Sequence, residues 1–188
     1  KQIPVNIKNT NNPLAAGTFI VAERKKNKGP ITGITADSGF STLYVSKYLM
    51  NRELGFGRKL LQILEEEYVS YEHTPSGLDD ISIIIRSHQL NKEKEERIVQ
   101  RIVNELEAEV AYFRHGFSMI VLVGEGMNNS TGLAARAATA ISRTGANIEM
   151  INQGSSEVSI VFGVLQEKEH MILRELYDEF FSKVNVYS

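Results

Sequence analysis

The chain has 188 residues, of which 42% are hydrophobic and 23% are charged, as in an ordinary globular protein. It carries 21 lysines and arginines against 23 aspartates and glutamates, so it offers no general basic field for nucleic acid or an anionic membrane. Because the chain contains no cysteine, disulfides, thiolate metal sites and a cysteine nucleophile are excluded.

The start of the chain and its apolar runs indicate the setting in which it works. The chain begins at Lys1 without an initiator methionine, which we interpret as a piece of a longer protein. Its longest apolar runs, at 81–85 and 119–123, have the length of strands and are far too short to span a membrane. Since no signal peptide is expected either, we predict a cytoplasmic protein with no membrane partner.

The elements of the sequence repeat at an offset of 77 residues. Gly39-Phe40-Ser41 recurs as Gly116-Phe117-Ser118, and the same offset aligns two copies without a gap. Two copies of one structural module are therefore predicted. The further matches are Met50-Asn51 with Met127-Asn128, Gly55 with Gly132, Glu72 with Glu149, Gly77 with Gly154, and Ser82-Ile83 with Ser159-Ile160.

The first copy contains, in chain order, a strand, a helix, two strands and a second helix. Its strands are predicted at 41–46, 69–73 and 81–86. Its helices are predicted from apolar residues three and four positions apart: Leu60, Leu61, Leu64 and Tyr68 in the first, and Ile98, Ile102 and Leu106 in the second.

The second copy repeats this order. Its strands are predicted at 118–123, 147–152 and 158–164. Its helices are predicted from Leu133, Ala137, Ala140 and Ile141, and from Ile172, Leu176 and Phe180.

The order β-α-β-β-α is that of the ferredoxin-like βαββαβ unit without its last strand, so we predict an α+β fold of two such modules. Residues 109–114 can close the first module. The offset places 33–35 over 110–112, and we expect 31–36 to close the second module, because an unpaired strand needs backbone partners. The first module, 39–115, is then inserted in the second, formed by 31–38 and 116–188. A hydrogen-bond ladder from 31–36 into the first module's own sheet would contradict this insertion.

The sequence does not assemble an active site. The four histidines are dispersed, with no second ligand at helical spacing, which argues against a metal site. Gly124-Glu125-Gly126 lacks the third glycine of a dinucleotide-binding fingerprint, and no Gly-x-x-x-x-Gly-Lys loop is present. We therefore predict no catalytic residue, metal or cofactor in this chain.

The better functional candidate is the loop that joins the first strand of each module to its helix. In the second module, the small polar residues 127–132 open a helix whose N–H groups and dipole attract a carboxylate. Asn147, Glu149, Gln153 and the turn at 155–157 add donors and acceptors suited to a zwitterionic amino acid. The alternative is that Asn128, Ser130 and Thr131 only cap the helix.

The corresponding loop of the first module is 50–55. Carboxylates opposite it could attract a ligand with an additional positive charge, such as lysine. Residues 76–80 could equally be a plain polar hairpin turn, and the two interpretations do not exclude each other. The polar residues predicted opposite this loop are Glu72, Thr74, Ser76, Asp79 and Asp80.

Several long motifs resemble the C-terminal regulatory region of aspartate kinases. In the second copy they are Val-Gly-Glu-Gly-Met at 123–127, Thr-Gly-Leu-Ala-Ala-Arg at 131–136 and Thr-Gly-Ala-Asn-Ile-Glu-Met-Ile-Asn-Gln-Gly-Ser-Ser-Glu at 144–157. The stretch 71–82 of the first copy is similar to a monofunctional subgroup of this family, and 9–20 is similar to the segment that leaves the kinase domain. The first copy departs from many relatives in its Ser-Gly-Leu-Asp-Asp turn and in having Glu72 where they carry Asp.

This resemblance implies two ACT domains that dimerise through their sheets and bind lysine, threonine or both as feedback inhibitors of aspartate phosphorylation. It also implies a missing N-terminal kinase domain, which would hold ATP and Mg²⁺ and from which 1–30 would lead as a linker. The implied effector contacts are Met50, Asn51, Gly55, Glu72 and Thr74 in the first module, and Met127, Asn128, Gly132, Asn147, Ile148 and Gln153 in the second.

Two other functions are open at the level of sequence. The chain could be a constitutive dimerisation module whose loops bind no ligand. It could also be a stand-alone enzyme on a ferredoxin-like scaffold, but this requires an acid–base pair that the sequence does not provide.

Overall fold

The computed structural model describes residues 3–21, 29–127, 130–154 and 158–182. Its first part is a two-stranded antiparallel ribbon formed by β1 (Val5–Ile7) and β2 (Thr18–Ile20). The remainder forms one five-stranded antiparallel sheet with helices. Its elements are β3 (Gly33–Ser46), α1 (Phe56–Glu66), β4 (Asp80–Arg86), α2 (Lys92–Leu106), β5 (Val110–Val123), α3 (Leu133–Arg143), β6 (Met150–Gln153), β7 (Ser159–Leu165) and α4 (Glu169–Tyr177).

The sheet has the order β4-β3-β5-β7-β6, and its two central strands each run through both copies of the repeat. The second half of β3 pairs with β4 and with the start of β5, which gives the first copy its sheet. The first half of β3 pairs with the second half of β5, from Gly33 opposite Val123 to Ser38 opposite Ser118. The predicted α+β fold of two βαββαβ modules is confirmed, and the start of β3 lies beside the first strand of the second copy.

Two glycines form bulges that allow β3 and β5 to continue from one copy into the other. Gly39 has φ +84° and Gly116 has φ +78°, and the register of β3 against β5 shifts at this point. An extra residue in a strand reverses which face the following side chains occupy. Ile34, at an even position before the bulge, and Leu43, at an odd position after it, therefore both point to the helices.

The helices cover one face of the sheet and create a separate apolar core for each copy. In α2, Ile98, Ile102 and Leu106 lie four residues apart, and all three are buried against the sheet, as the sequence predicted. The helix begins at Asn91, whose side chain accepts a hydrogen bond from the N–H of Lys94 at 2.9 Å. The core of the second copy is built in the same way around α3 and α4.

The opposite face of the sheet, called the back face here, carries a third apolar cluster shared by the two copies. The edges of the sheet approach each other over this face, since His73 Nδ1 and Asn152 Nδ2 are 3.1 Å apart. The buried members of the cluster are Phe40, Ile84, Phe117, Met119 and Val161.

Two local expectations for the first copy were wrong. The structure has no strand at 69–73, and only isolated bridges from His73 to Ile84 and from Ser76 to Ile81 extend the sheet there. Pro75, which lacks an N–H donor, lies between these bridges and interrupts a regular ladder. Tyr68 is not on the apolar face of α1, because it lies beyond the end of the helix with φ +57° and is 90% exposed.

Within the described parts of the chain, none of the helices combines the length and the apolarity that crossing a membrane requires.

Candidate functional site

In the first copy, the predicted binding loop forms a compact corner between β3 and α1. A short 3₁₀ turn, Met50–Arg52, follows the strand, and its backbone is tied to the neighbouring hairpin turn. The N–H of Asn51 donates to the carbonyl of Leu78 at 3.1 Å, and the N–H of Leu49 donates to Asp79 Oδ1 at 2.9 Å. The corner and the turn at 76–80 are thus one structural unit, and the Asp79 carboxylate is partly used to hold it.

The helix that leaves this corner begins at a glycine that provides no side-chain cap. Gly55 adopts φ +77°, a left-handed conformation that favours glycine. The N–H groups of the first turn of α1 therefore receive no capping bond from this residue, and a helix start of this kind attracts an anionic group. The side chain of Asn51 is exposed beside it, whereas that of Met50 is buried in the apolar core.

Glu72 and Thr74 lie on the irregular edge that follows α1. The N–H of Glu72 donates to the carbonyl of Ile84 at 2.8 Å, and Arg86 Nε donates to its carboxylate at 3.0 Å. Arg86 also binds Asp37 with two of its nitrogens. The structure therefore places Glu72 in an ion-pair cluster towards the middle of the sheet, while Thr74 is half-buried.

The second copy repeats the corner between β5 and α3. The N–H of Met127 donates to the carbonyl of Gly124 at 3.1 Å, and the Met127 side chain is buried in the core. Gly132 opens α3 with φ +81° and, like its counterpart, provides no side-chain cap. The hydroxyl of Ser130 donates to the carbonyl of Gly126 at 2.9 Å, so Ser130 stabilises the loop and does not cap the helix.

The remaining predicted residues of the second copy line its edge. Asn147 is exposed and donates to Glu149 Oε1 at 3.1 Å, and Ile148 is half-buried against the apolar core. Gln153 is exposed at the end of β6, opposite Ile160. The predicted Asn128 and the turn at 155–157 lie outside the described residues.

Basic side chains that the sequence analysis missed control the charge around both corners. A hydrogen bond from Lys47, which has the largest effect, and another from Lys59 hold the pKa of Glu53 below its usual range. A hydrogen bond from Arg114 similarly lowers the pKa of Glu149. Because the folded-state pKa values are depressed, the stability from these pairs is present at neutral pH and is lost as the pH falls through those values. Arg114 belongs to the first copy and Glu149 to the second. The 77-residue offset relates equivalent positions of the two copies, so it could not predict the pairing of Arg114 with Glu149.

The described residues contain no group of three or more His, Cys, Asp and Glu side chains placed to hold a metal ion. Each corner has a polar loop, a helix whose first turn receives no side-chain cap from its glycine, and nearby amides and carboxylates. This arrangement can bind a small polar anion or zwitterion.

Comparison with known proteins extends these observations. An ACT-domain family model matches residues 120–180. Aspartokinase 3 of Bacillus subtilis is 52% identical over 182 residues, which are 97% of this chain and 40% of that protein. The chain spans less than half the length of the curated relatives that it matches.

Solved structures agree with this similarity. Aspartate kinase of Clostridium acetobutylicum has a TM-score of 0.87 and 37% identity, over 95% of this chain and 41% of that one. Escherichia coli aspartokinase III in complex with lysine and aspartate (T-state) has a TM-score of 0.72 and 17% identity, over 95% of this chain and 39% of that one. At such low identity the second likeness concerns the fold alone.

The duplicated βαββαβ fold and the ACT match define a tandem ACT regulatory region. More particularly, the chain belongs to the aspartokinases, as the regulatory part of such a protein.

Proposed function

We propose that this chain is an allosteric sensor that binds lysine, threonine or both and regulates an attached kinase domain that phosphorylates L-aspartate. The observation that carries the proposal is the pair of corners, each with an uncapped glycine at its helix start. An α-amino acid needs donors for its carboxylate and acceptors for its ammonium group. The first-turn N–H groups supply the donors, and neighbouring amides and carboxylates supply the acceptors.

The effector contacts in this proposal are the residues named from the sequence. Asn51 and Asn147 have exposed amides that can bind a ligand directly. Met50 and Met127 shape the corner from within the core, because both are buried. The lysine complex of the Escherichia coli relative supports lysine as one effector. The full set is Met50, Asn51, Gly55, Glu72, Thr74, Met127, Asn128, Gly132, Asn147, Ile148 and Gln153.

The domain division that accompanies this proposal follows the strand pairing. We assign 1–30 to a linker from the kinase domain, 39–115 to the first ACT domain, and 31–38 with 116–188 to the second. The ladder between the start of β3 and the end of β5 supports this division. ATP and Mg²⁺ act in the kinase domain, and this chain itself uses no cofactor.

The proposal also includes a cytoplasmic homodimer formed through the ACT domains, with the effector held between subunits and with no nucleic acid or membrane as a partner. The edge strand β6 supports such an interface, because one of its sides has no β partner among the residues that the structure describes. Exposed strand edges of this kind readily pair with another chain. If an effector binds at this subunit interface more tightly in one arrangement of the subunits, it shifts the equilibrium towards that arrangement.

Calorimetric titration of the chain with lysine and with threonine tests the sensing function. We expect saturable heat from at least one of them at millimolar or lower concentration, and weaker binding in Asn51→Ala or Asn147→Ala. Thr139→Ala is the matched control, because Thr139 is exposed on α3 and its hydroxyl bonds only within the helix. A dimer of unchanged mass that takes up neither amino acid would instead indicate a constitutive dimerisation module.

A further inference from the structure

A cavity lies within one chain, on the back face of the sheet. It has a volume of about 410 Å³, within the range of small-molecule sites. Its walls are the edge at 75–77 from the first copy and β6 from the second, and its floor is formed by the central strands. Among the described residues, none of the effector contacts implied by the resemblance lines it, although Ser76, Asp80 and Glu149, which the sequence places opposite the loops, do. The polar and aromatic residues that do are Tyr44, Asp80, Ser82, Tyr112, Arg114 and Glu149.

We propose that this cavity binds a basic α-amino acid, of the lysine type, in an extended conformation. The inference rests on the amino-acid-sensing function proposed above, but it assigns a separate site inside a single chain.

The strand register sets charged groups at opposite ends of the cavity. Arg114 lies in the row that also contains Thr42, and Asp80 is opposite Ser46. These rows are four residues apart along β3, which corresponds to about 13 Å between backbones. Charged groups placed at opposite ends of one cavity suit a long ligand with charge at both ends and not a compact one such as threonine.

The Arg114 end has the chemistry for an α-amino acid head group. Arg114 Nη1 donates to Glu149 Oε2 at 2.9 Å, and the guanidinium has further N–H donors for a carboxylate. Glu149 can in turn accept a hydrogen bond from an ammonium group. Its other oxygen, Oε1, accepts from Asn147, so a ligand here also acts on a residue of the second corner.

The middle and far end of the cavity suit a side chain that is apolar along its length and cationic at its tip. The rings of Tyr44 and Tyr112 lie side by side in the middle, with centroids 5.2 Å apart, and offer their surface to an aliphatic stem. Beyond them is the carboxylate of Asp80, to which the Tyr44 hydroxyl donates at 3.5 Å. An ε-ammonium group placed there gains the charge of Asp80 and the nearby aromatic rings.

The charge of the lining selects the same ligand class. The charged side chains among its residues are Asp80, Glu149 and Arg114, which sum to one negative charge at neutral pH. A diamino acid, with its single net positive charge, neutralises the cavity. A neutral zwitterion leaves the Asp80 carboxylate without a cationic partner.

The test compares lysine with norleucine, which has the same head group and stem but no ε-ammonium group. We expect Asp80→Asn to raise the Kd of lysine about tenfold or more and to change that of norleucine less than twofold. Both titrations are followed by calorimetry and by tyrosine emission, since the chain has seven tyrosines and no tryptophan. Ser82→Phe, which fills the cavity without removing a charge, should abolish binding of both ligands and provides a second route if Asp80→Asn is unstable.

The corner variant Asn51→Ala separates this proposal from the sensing function. Lysine binding that survives Asn51→Ala and is weakened by both Asp80→Asn and Ser82→Phe supports the cavity site, because Ser82 lines the cavity and belongs to neither corner. Lysine binding that is lost in Asn51→Ala but unchanged in both Asp80→Asn and Ser82→Phe overturns the cavity proposal and leaves the corner sensor intact. If the unaltered chain binds neither lysine nor threonine, both proposals fail.

Discussion

Two fully buried serines occupy equivalent positions in the two copies. Ser41 Oγ lies 2.7 Å from Ser87 Oγ and 2.8 Å from His115 Nδ1. Ser118 Oγ donates to Glu169 Oε2 at 2.6 Å, which ties the sheet to the start of α4. The repeated Gly-Phe-Ser motif revealed these positions in the sequence, but it did not reveal their partners, because the residues that bond to each serine differ between the copies. A buried hydroxyl requires a hydrogen-bond partner, and a different residue provides that partner in each copy.

Removal of the Ser118 hydroxyl should measure the strength of this connection. We expect Ser118→Ala to lower the free energy of unfolding by about 1–3 kcal/mol, because the Glu169 carboxylate loses a charged hydrogen bond in a partly buried place. Urea denaturation monitored by far-UV circular dichroism provides the measurement. Ser142→Ala, on the exposed face of α3, should change the stability by less than about 0.5 kcal/mol. Equal effects of the two substitutions would show that the Ser118 bond contributes nothing specific.

At the scale of secondary structure, the sequence correctly predicted the elements that a local pattern of apolar residues determines. The spacing of Ile98, Ile102 and Leu106 predicted α2 and its buried face, and all three residues are buried. The edge at 69–73 was predicted wrongly as a strand, because the repeat alone does not reveal that Pro75, just beyond it, has no N–H donor for a regular ladder.

The long strands show a second limit of local pattern. The segments 31–36 and 41–46 were predicted as separate strands, whereas the single strand β3 continues without a break from Gly33 to Ser46. Glycine usually indicates a turn, but Gly39 is a bulge within a continuous strand. The contact between His73 and Asn152 and the back-face cavity depend on how the whole sheet curves, and no spacing in the sequence records that curvature.

The start of α1 offers a matched pair of glycines with opposite expected effects. Gly57 is inside the helix with no atom within 4 Å of an added Cβ, so Gly57→Ala should stabilise the protein by about 0.5–1 kcal/mol through helix propensity. An added Cβ at Gly55 also meets open space apart from the Arg58 side chain, but φ is +77° there. Gly55→Ala should therefore destabilise the protein by about 1–2 kcal/mol. Thermal unfolding of both variants tests the assignment, and a gain in stability from Gly55→Ala would contradict the left-handed helix start.

At the scale of the whole molecule, the two copies are not independent domains. The strands β3 and β5 have 14 residues each and run through the parts of the sheet that belong to both copies. The back-face cluster also contains side chains from both copies. Neither copy can lose its sheet without breaking hydrogen bonds that the other needs. This shared construction gives a physical route for a ligand at one corner to affect the other.

The shared strands predict a single cooperative unfolding transition. Five of the seven tyrosines lie in the first copy, so tyrosine emission reports chiefly on that copy, while circular dichroism reports on the whole chain. We expect Ile83→Val in the first copy and Ile160→Val in the second, both at fully or almost fully buried sites, to lower stability by about 1 kcal/mol each. In each variant the urea midpoints from the two signals should coincide. If Ile160→Val shifted the circular dichroism transition and left the tyrosine transition in place, the copies would unfold separately, and the shared sheet could not couple their corners.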